Sequence, residues 1–142
     1  MEKRIIYVAT IVFIIPFILI LLIMVFSSNE QKINFSYNEE YIELDSFIYD
    51  KVYFQDIKDL ELLTDNDLKI QKQGAGFQNN NFFSGEAIAE SIGSCRAYIY
   101  LHKDNYIFVS SKINIIFNLE TDADTKKMYE KLKNIYQLRS ID

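Results

Sequence analysis

Apolar positions fall into three patterns along the chain: one unbroken run, a long stretch of alternation, and a terminal helical repeat. The run is Ile5 to Phe26, 22 residues without a charge. As a helix rising about 1.5 Å per residue it would extend about 33 Å, enough to cross a hydrocarbon core of about 30 Å. Pro16, in its middle, predicts a kink rather than an end. Lys3 and Arg4 stand before the run and only Lys32 closely after it, which favours a cytoplasmic N-terminus with the rest of the chain outside the cell. A cleaved signal peptide is the competing reading, with Val25 and Ser27 as the small residues of a cleavage site. The run exceeds the roughly 7–15 residues of a signal core, so an uncleaved single-pass anchor is preferred. No Cys follows closely enough to support a lipoprotein anchor. The chain is therefore divided into an anchor at 1–28, a linker at 29–38 and a folded domain at 39–142.

Beyond the anchor the period is two. Ile33, Phe35 and Tyr37 alternate with polar residues within the linker span, enough for a first short strand. Tyr41 to Leu44 alternates, with Ile42 and Leu44 on one face. Asp45-Ser46 reads as a turn and Phe47 to Phe54 as an aromatic, β-branched strand. Asp56 to Thr64 is ambiguous between strand and helical turn, with strand preferred. Asp65-Asn66-Asp67 reads as a turn and Leu68 to Gln73 as a short strand. Gly74 to Gly85 holds three of the four glycines and Asn79-Asn80-Asn81, the composition of a loop, with Phe77, Phe82 and Phe83 as inward anchors. Glu86 to Ser91 fits a short strand or a helical turn. Arg96 to Leu101 and Tyr106 to Ser110, separated by His102 to Asn105, predict a β-hairpin, and Ile113 to Leu119 one more strand, so the expected topology is an antiparallel meander.

At Thr121 the period changes. Met128, Tyr129, Leu132, Ile135 and Tyr136 recur on one helical face, and Lys126, Lys127, Lys131 and Lys133 occupy the others. Thr121 or Asp122 can cap the start, and Asp124 suits the first turn. The apolar stripe needs a surface to bury against, and the sheet of the same chain is the natural one.

Gly74 to about Asn134 resembles the small bacterial pleckstrin-homology domains that sit beside transmembrane helices. The matching features are Gly76-Phe77, Phe83-Ser84-Gly85, Ile92-Gly93, the strand Arg96 to Tyr100, its return Tyr106 to Val109, Ile115 to Asn118, and the helix holding Met128-Tyr129 and Leu132. The resemblance covers a little under half the chain. It implies a mainly β fold, two antiparallel sheets packed as a barrel or sandwich and capped by a C-terminal helix, with no established catalytic activity. Phosphoinositide-binding members of the family use basic side chains around the loop between their first two strands. Here the early strands carry Glu39, Glu40, Glu43, Asp45 and Asp50, with Lys51 alone among them, a set unsuited to phosphate.

Charge agrees with that departure. The 142 residues hold 15 Lys plus Arg against 20 Asp plus Glu. Without Glu2, Lys3 and Arg4, the residues after the anchor hold 13 basic and 19 acidic side chains, a net charge of -6. Such a domain is repelled by anionic head groups and by nucleic acid. One Cys and one His exclude a disulfide framework and a cysteine-rich zinc site. His102 in a turn and Cys95 at a strand start have no partner nearby in sequence. Asp65, Asn66 and Asp67 lack the rest of a calcium loop. Gly74-Ala75-Gly76 lacks the Gly-Lys-Ser/Thr of a phosphate loop. No cofactor is implied.

The aromatic surplus, 10 Tyr and 11 Phe, is the feature with a functional side. Tyr98, Tyr100, Tyr106 and Phe108 would line one face of the expected hairpin, a row suited to protein contact. Cross-strand packing is the simpler reading of the same row. The reading that follows is a membrane-anchored, non-catalytic module that binds a protein partner or a second copy of itself. The alternative is a lipid or small-ligand sensor using the barrel end and the Gly74–Gly85 loop with Phe77, Phe82 and Phe83.

Overall fold

The computed structural model describes residues 14–23 and 32–139, the side chains at 72 and 73 excepted. The chain divides into two compact units, 1–32 and 33–142. In the first, residues 14–23 form helix α1 with exposed side chains. Among the described residues no helix is long and apolar enough to cross a membrane. Most of the anchor expected at 1–28 lies outside the described residues.

The second unit is built on two sheets and a helix. Strands β1 (Asn34–Tyr37), β2 (Tyr41–Asp45) and β3 (Tyr49–Tyr53) make a three-stranded antiparallel sheet. Residues 33–38, assigned to a linker from the sequence, thus belong to the domain: Phe35 pairs with Leu44 and Tyr37 with Ile42. Burying Ile33 and packing Phe35 and Tyr37 against the core is what draws them in. Asn38 closes the first hairpin, its Oδ1 accepting the backbone N–H of Glu40 at 2.8 Å and of Tyr41 at 2.9 Å.

A 3₁₀ turn at Phe54–Asp56 leads to β4 (Asp59–Thr64) and the single-turn helix α2 (Asp65–Leu68). The segment read as the turn Asp65-Asn66-Asp67 is helical because Thr64 and Asp67 form a capping box, Thr64 donating to the Asp67 carboxylate at 2.6 Å. Then come β5 (Ile70–Gln78), β6 (Phe82–Ala89), β7 (Gly93–Tyr100), β8 (Asn105–Ser110), β9 (Ile115–Phe117) and helix α3 (Asp122–Arg139).

These six strands form one sheet in the order β4-β8-β9-β7-β6-β5. Two expectations change. The stretch 74–85 is not a loop but parts of two paired strands joined by Asn79-Asn80-Asn81. Gly76 stands opposite Gly85 at so close an approach that a Cβ on Gly85 would lie 2.5 Å from the Gly76 Cα. Glycine serves strand pairing here, and the bulge between Lys72 and Gly76, with Gly74 at φ +83°, absorbs the rest. Nor are β7 and β8 a hairpin. β9 lies between them, parallel to β7 and antiparallel to β8, so the sheet is mixed rather than a meander. Ile115, Ile116 and Phe117 are buried in succession, and a strand apolar on both faces belongs inside a sheet. The edges go to β4 and β5, which carry Asp59, Glu61, Gln71 and Gln78.

The larger core lies between the sheets and α3. It joins Ile42, Leu44 and Val52 of the small sheet to Phe82, Tyr98, Ile107, Val109, Ile115 and Phe117 of the large one, and to Leu132 of α3. Phe35 stacks on Phe117 at 5.2 Å between ring centroids. Thr121 caps α3, its Oγ1 accepting the Asp124 N–H at 3.0 Å. The Tyr136 hydroxyl ties the far end to the Lys58 carbonyl at 3.0 Å. A second cluster covers the other face of the large sheet, where Leu68 of α2 joins Ala87, Ala89, Cys95, Ala97, Ile99 and Ile116. The large sheet is therefore covered on both sides.

Candidate functional site

That double cover decides where the aromatics named from sequence end up. Tyr98 belongs to the inter-sheet core, and Tyr100 packs against it half-buried. Tyr106 and Phe108 belong to the cluster on the opposite face. With β9 between the strands, the four rings form no common row. Phe82 is buried in the first core with Phe77 packed against it, and Phe83 is buried in the second. Packing accounts for all seven.

Two buried tyrosines have polar ties. The Tyr98 hydroxyl donates to Asp50 Oδ2 at 2.6 Å, and Arg96 pairs with Asp50 Oδ1. Asp50 lies on the inward side of β3 with Arg96 partly exposed, so this triad joins the two sheets through one carboxylate at the margin of the core. Burial, then the neighbouring Asp50, pushes the Tyr98 phenol far up. The Tyr106 hydroxyl donates to the Lys103 carbonyl at 2.8 Å, and burial with the Asp65 carboxylate nearby raises it as well. Both rings are structural phenols that stay protonated.

Two open cavities flank the large sheet. One, of about 760 Å³, is lined by Lys58, Ser94, Cys95, Arg96, Ser110 and Lys112 among others. Two of its charges are engaged, Arg96 with Asp50 and Lys112 with Asp56 at 3.8 Å, while Lys58 and Glu86 also line it. Burial pushes the Cys95 thiol up to about 11. It is a thiol rather than a thiolate near neutral pH, and so a poor nucleophile. The other, of about 830 Å³, is lined by Asp65, Asn79, His102, Lys103, Asp104 and Tyr106 among others. The hydrogen bonds there tie Tyr106 to Asp65 and to the Lys103 carbonyl and leave His102 outside them. Among the described residues no three His, Cys, Asp or Glu converge as a metal site.

Within residues 33–139 the most exposed aromatics stand elsewhere, on the outward face of the small sheet and its adjoining turn. Strand pairing sets Tyr41 beside Tyr53, Glu43 beside Lys51 and Asp45 beside Tyr49. Ile42, Leu44, Asp50 and Val52 alternate inward, so these six side chains share the solvent side. Tyr49 is 53% exposed, Tyr53 41%, and Phe47 in the adjoining turn 52%. Tyr41 and Tyr53 meet edge to face at 5.9 Å. Lys51 Nζ lies 3.5 Å from the centre of the Tyr41 ring and 5.7 Å from that of Tyr53. The Tyr49 hydroxyl donates to Glu43 Oε1 at 3.1 Å. Desolvation and that hydrogen bond raise the Tyr49 phenol, so this ring stays neutral at physiological pH.

The sequence contains a signal for this face, but an inverted one. In Tyr49-Asp50-Lys51-Val52-Tyr53 the usual rule would turn Asp50 to water and the tyrosines inward. The partners that let Asp50 turn inward, Arg96 and Tyr98, are more than forty residues away.

Comparison with known proteins supplies no relative. No family model, no curated protein and no solved structure matches this chain.

Proposed function

We propose that the protein is a non-catalytic binding module held at the cell membrane by its N-terminal apolar segment, and that it engages a protein partner through the outward face of its three-stranded sheet. The observation that carries this reading is the placement of Phe47, Tyr49 and Tyr53 in water while the tyrosines and phenylalanines of β6 to β9 are taken up by packing. Solvated tyrosines provide large, rigid contact area at small entropic cost, which is how protein-binding surfaces are built. The uncharged run Ile5 to Phe26 supports the membrane half of the proposal, with the N-terminus cytoplasmic and the domain outside.

Two sheets closed by a terminal helix of 18 residues support the pleckstrin-homology-like reading. The parallel pairing of β9 with β7 departs from the all-antiparallel plan which that resemblance implies. The lipid- or ligand-sensor alternative draws nothing from Phe82 and Phe83, both of which are buried.

Photocrosslinking in intact membranes tests the proposal. A benzophenone side chain replaces Phe47 or Tyr49 and, as control, the exposed Gln71 of β5. Discrete adducts from 47 and 49 but not from 71 are expected. Adducts from 71 alone, or from none of the three, overturn it.

A further inference from the structure

The outward face of the small sheet already holds a cation. The Lys51 ammonium sits over Tyr41 at 3.5 Å, with the Tyr53 ring at 5.7 Å and Glu43 opposite it in the strand register. Aromatic faces are electron-rich and attract cations, and a nearby carboxylate adds charge of the required sign. Nothing in the interior depends on Lys51, since β3 reaches the core through Asp50 and Val52. The surroundings are acidic, with Glu39, Glu40 and Asp45 exposed beside the face. The chain after the anchor has a net charge of -6, which draws cationic partners and repels anionic ones.

We propose that this face recognises a Lys- or Arg-bearing polypeptide segment, one of whose cations takes the place over Tyr41 and Tyr53 that Lys51 holds in the free chain, with Glu43 as counter-ion. The inference deepens the reading above and rests on it. Lys51 is then an internal stand-in that swings aside when the partner binds. Its long, exposed side chain can leave without disturbing the core. Guanidinium suits the site as well as ammonium does, because it stacks on tyrosine rings. Specificity follows from sign: an acidic segment meets Glu39, Glu40, Glu43 and Asp45 with Lys51 alone on the face to answer it.

The test is fluorescence anisotropy of the full chain, held in neutral detergent micelles, with labelled octalysine. Octaglutamate and phosphocholine serve as comparison probes. Saturable binding of octalysine is expected, weakening with added salt. Tyr41→Leu should weaken it about 2- to 5-fold, the effect of one exposed cation–aromatic contact. Glu43→Gln should weaken it too, and it keeps the proposal testable if Tyr41→Leu fails to fold. Lys51→Met should tighten it, because the internal competitor is gone. Octalysine binding that ignores Glu43→Gln, equal binding of octaglutamate, or weaker binding by Lys51→Met overturns the proposal. Phosphocholine binding that depends on Tyr41, without octalysine binding, also overturns it and points to a lipid head group. Adducts from positions 47 and 49 in membranes without octalysine binding would remove the cationic partner but leave the surface. Absence of both would remove both readings.

Discussion

The two sheets of the domain use the same aromatic residues in opposite ways. In the three-stranded sheet one face meets the core and the other meets water, so Tyr41, Tyr49 and Tyr53 stand outward while Ile42, Leu44 and Val52 point in. In the six-stranded sheet both faces are covered, by the small sheet and α3 on one side and by the Leu68 cluster on the other. There a tyrosine on either face is buried, and Tyr98 and Tyr106 are buried on opposite faces. An aromatic in a strand becomes a surface feature only where nothing is built above it. Strand periodicity fixes which residues share a face; the cover over that face decides their role.

The comparison can be pressed hardest from the doubly covered side. Phe117→Ala should lower unfolding free energy by about 3–5 kcal/mol in a denaturant titration, since the ring is fully buried against Phe35 and nothing can refill the space cheaply. A loss below about 1 kcal/mol would mean that the sheets are not packed as described. The tie between the sheets comes next. Asp50→Ala leaves Arg96 and Tyr98 without their shared acceptor and should cost about 1–3 kcal/mol, since Arg96 can turn to water but the Tyr98 hydroxyl cannot. A double-mutant cycle with Tyr98→Phe should then show coupling of about 0.5–3 kcal/mol. Strict additivity would show that the triad does not join the sheets.

Alkaline titration separates the regions in a different way. Cys95 has its folded pKa raised to about 11 against an ordinary value of 9.0, so its contribution is full below about 9 and is lost as pH rises through 11. The buried phenols Tyr98 and Tyr106, also raised, add to the loss at still higher pH. The denaturation midpoint should hold steady from neutral pH to about 8.5 and then fall, with Cys95→Ala removing the earliest part of the fall. Removing the helix cap with Thr121→Ala should cost about 1 kcal/mol. Smallest of all, Tyr49→Ser and Lys51→Met on the open face should change stability by no more than about 0.5 kcal/mol. A larger loss from Tyr49→Ser would make the open face structural rather than free for a partner.

Much of this fold was legible in the order of residues. The alternation of β2, the aromatic run of β3 and the stripe Met128, Leu132, Ile135 on α3 announce their own elements. What the pattern hides is pairing across distance. The insertion of β9 between β7 and β8 depends on Ile115, Ile116 and Phe117 needing cover on both faces, and local turn signals point instead to a hairpin. Gly76 and Gly85 read as loop residues until they are seen opposite each other. The candidate face was hidden for a related reason: Asp50 lies inward only because Arg96 and Tyr98 meet it there. One hint was present in the sequence. Tyr106 to Val109 and Ile115 to Phe117 are unbroken apolar stretches, the mark of strands covered on both sides, whereas β2 and β3 interleave charge with their apolar positions.

Hydroxyl-radical footprinting of the full chain, in its native membranes and again after purification in detergent, distinguishes a partnered open face from a bare one. Phe47, Tyr49 and Tyr53 should be oxidised in the purified chain and protected in membranes, while Tyr98, Tyr106 and Phe108 resist oxidation in both. Equal oxidation of Phe47, Tyr49 and Tyr53 in the two preparations would contradict a partnered face.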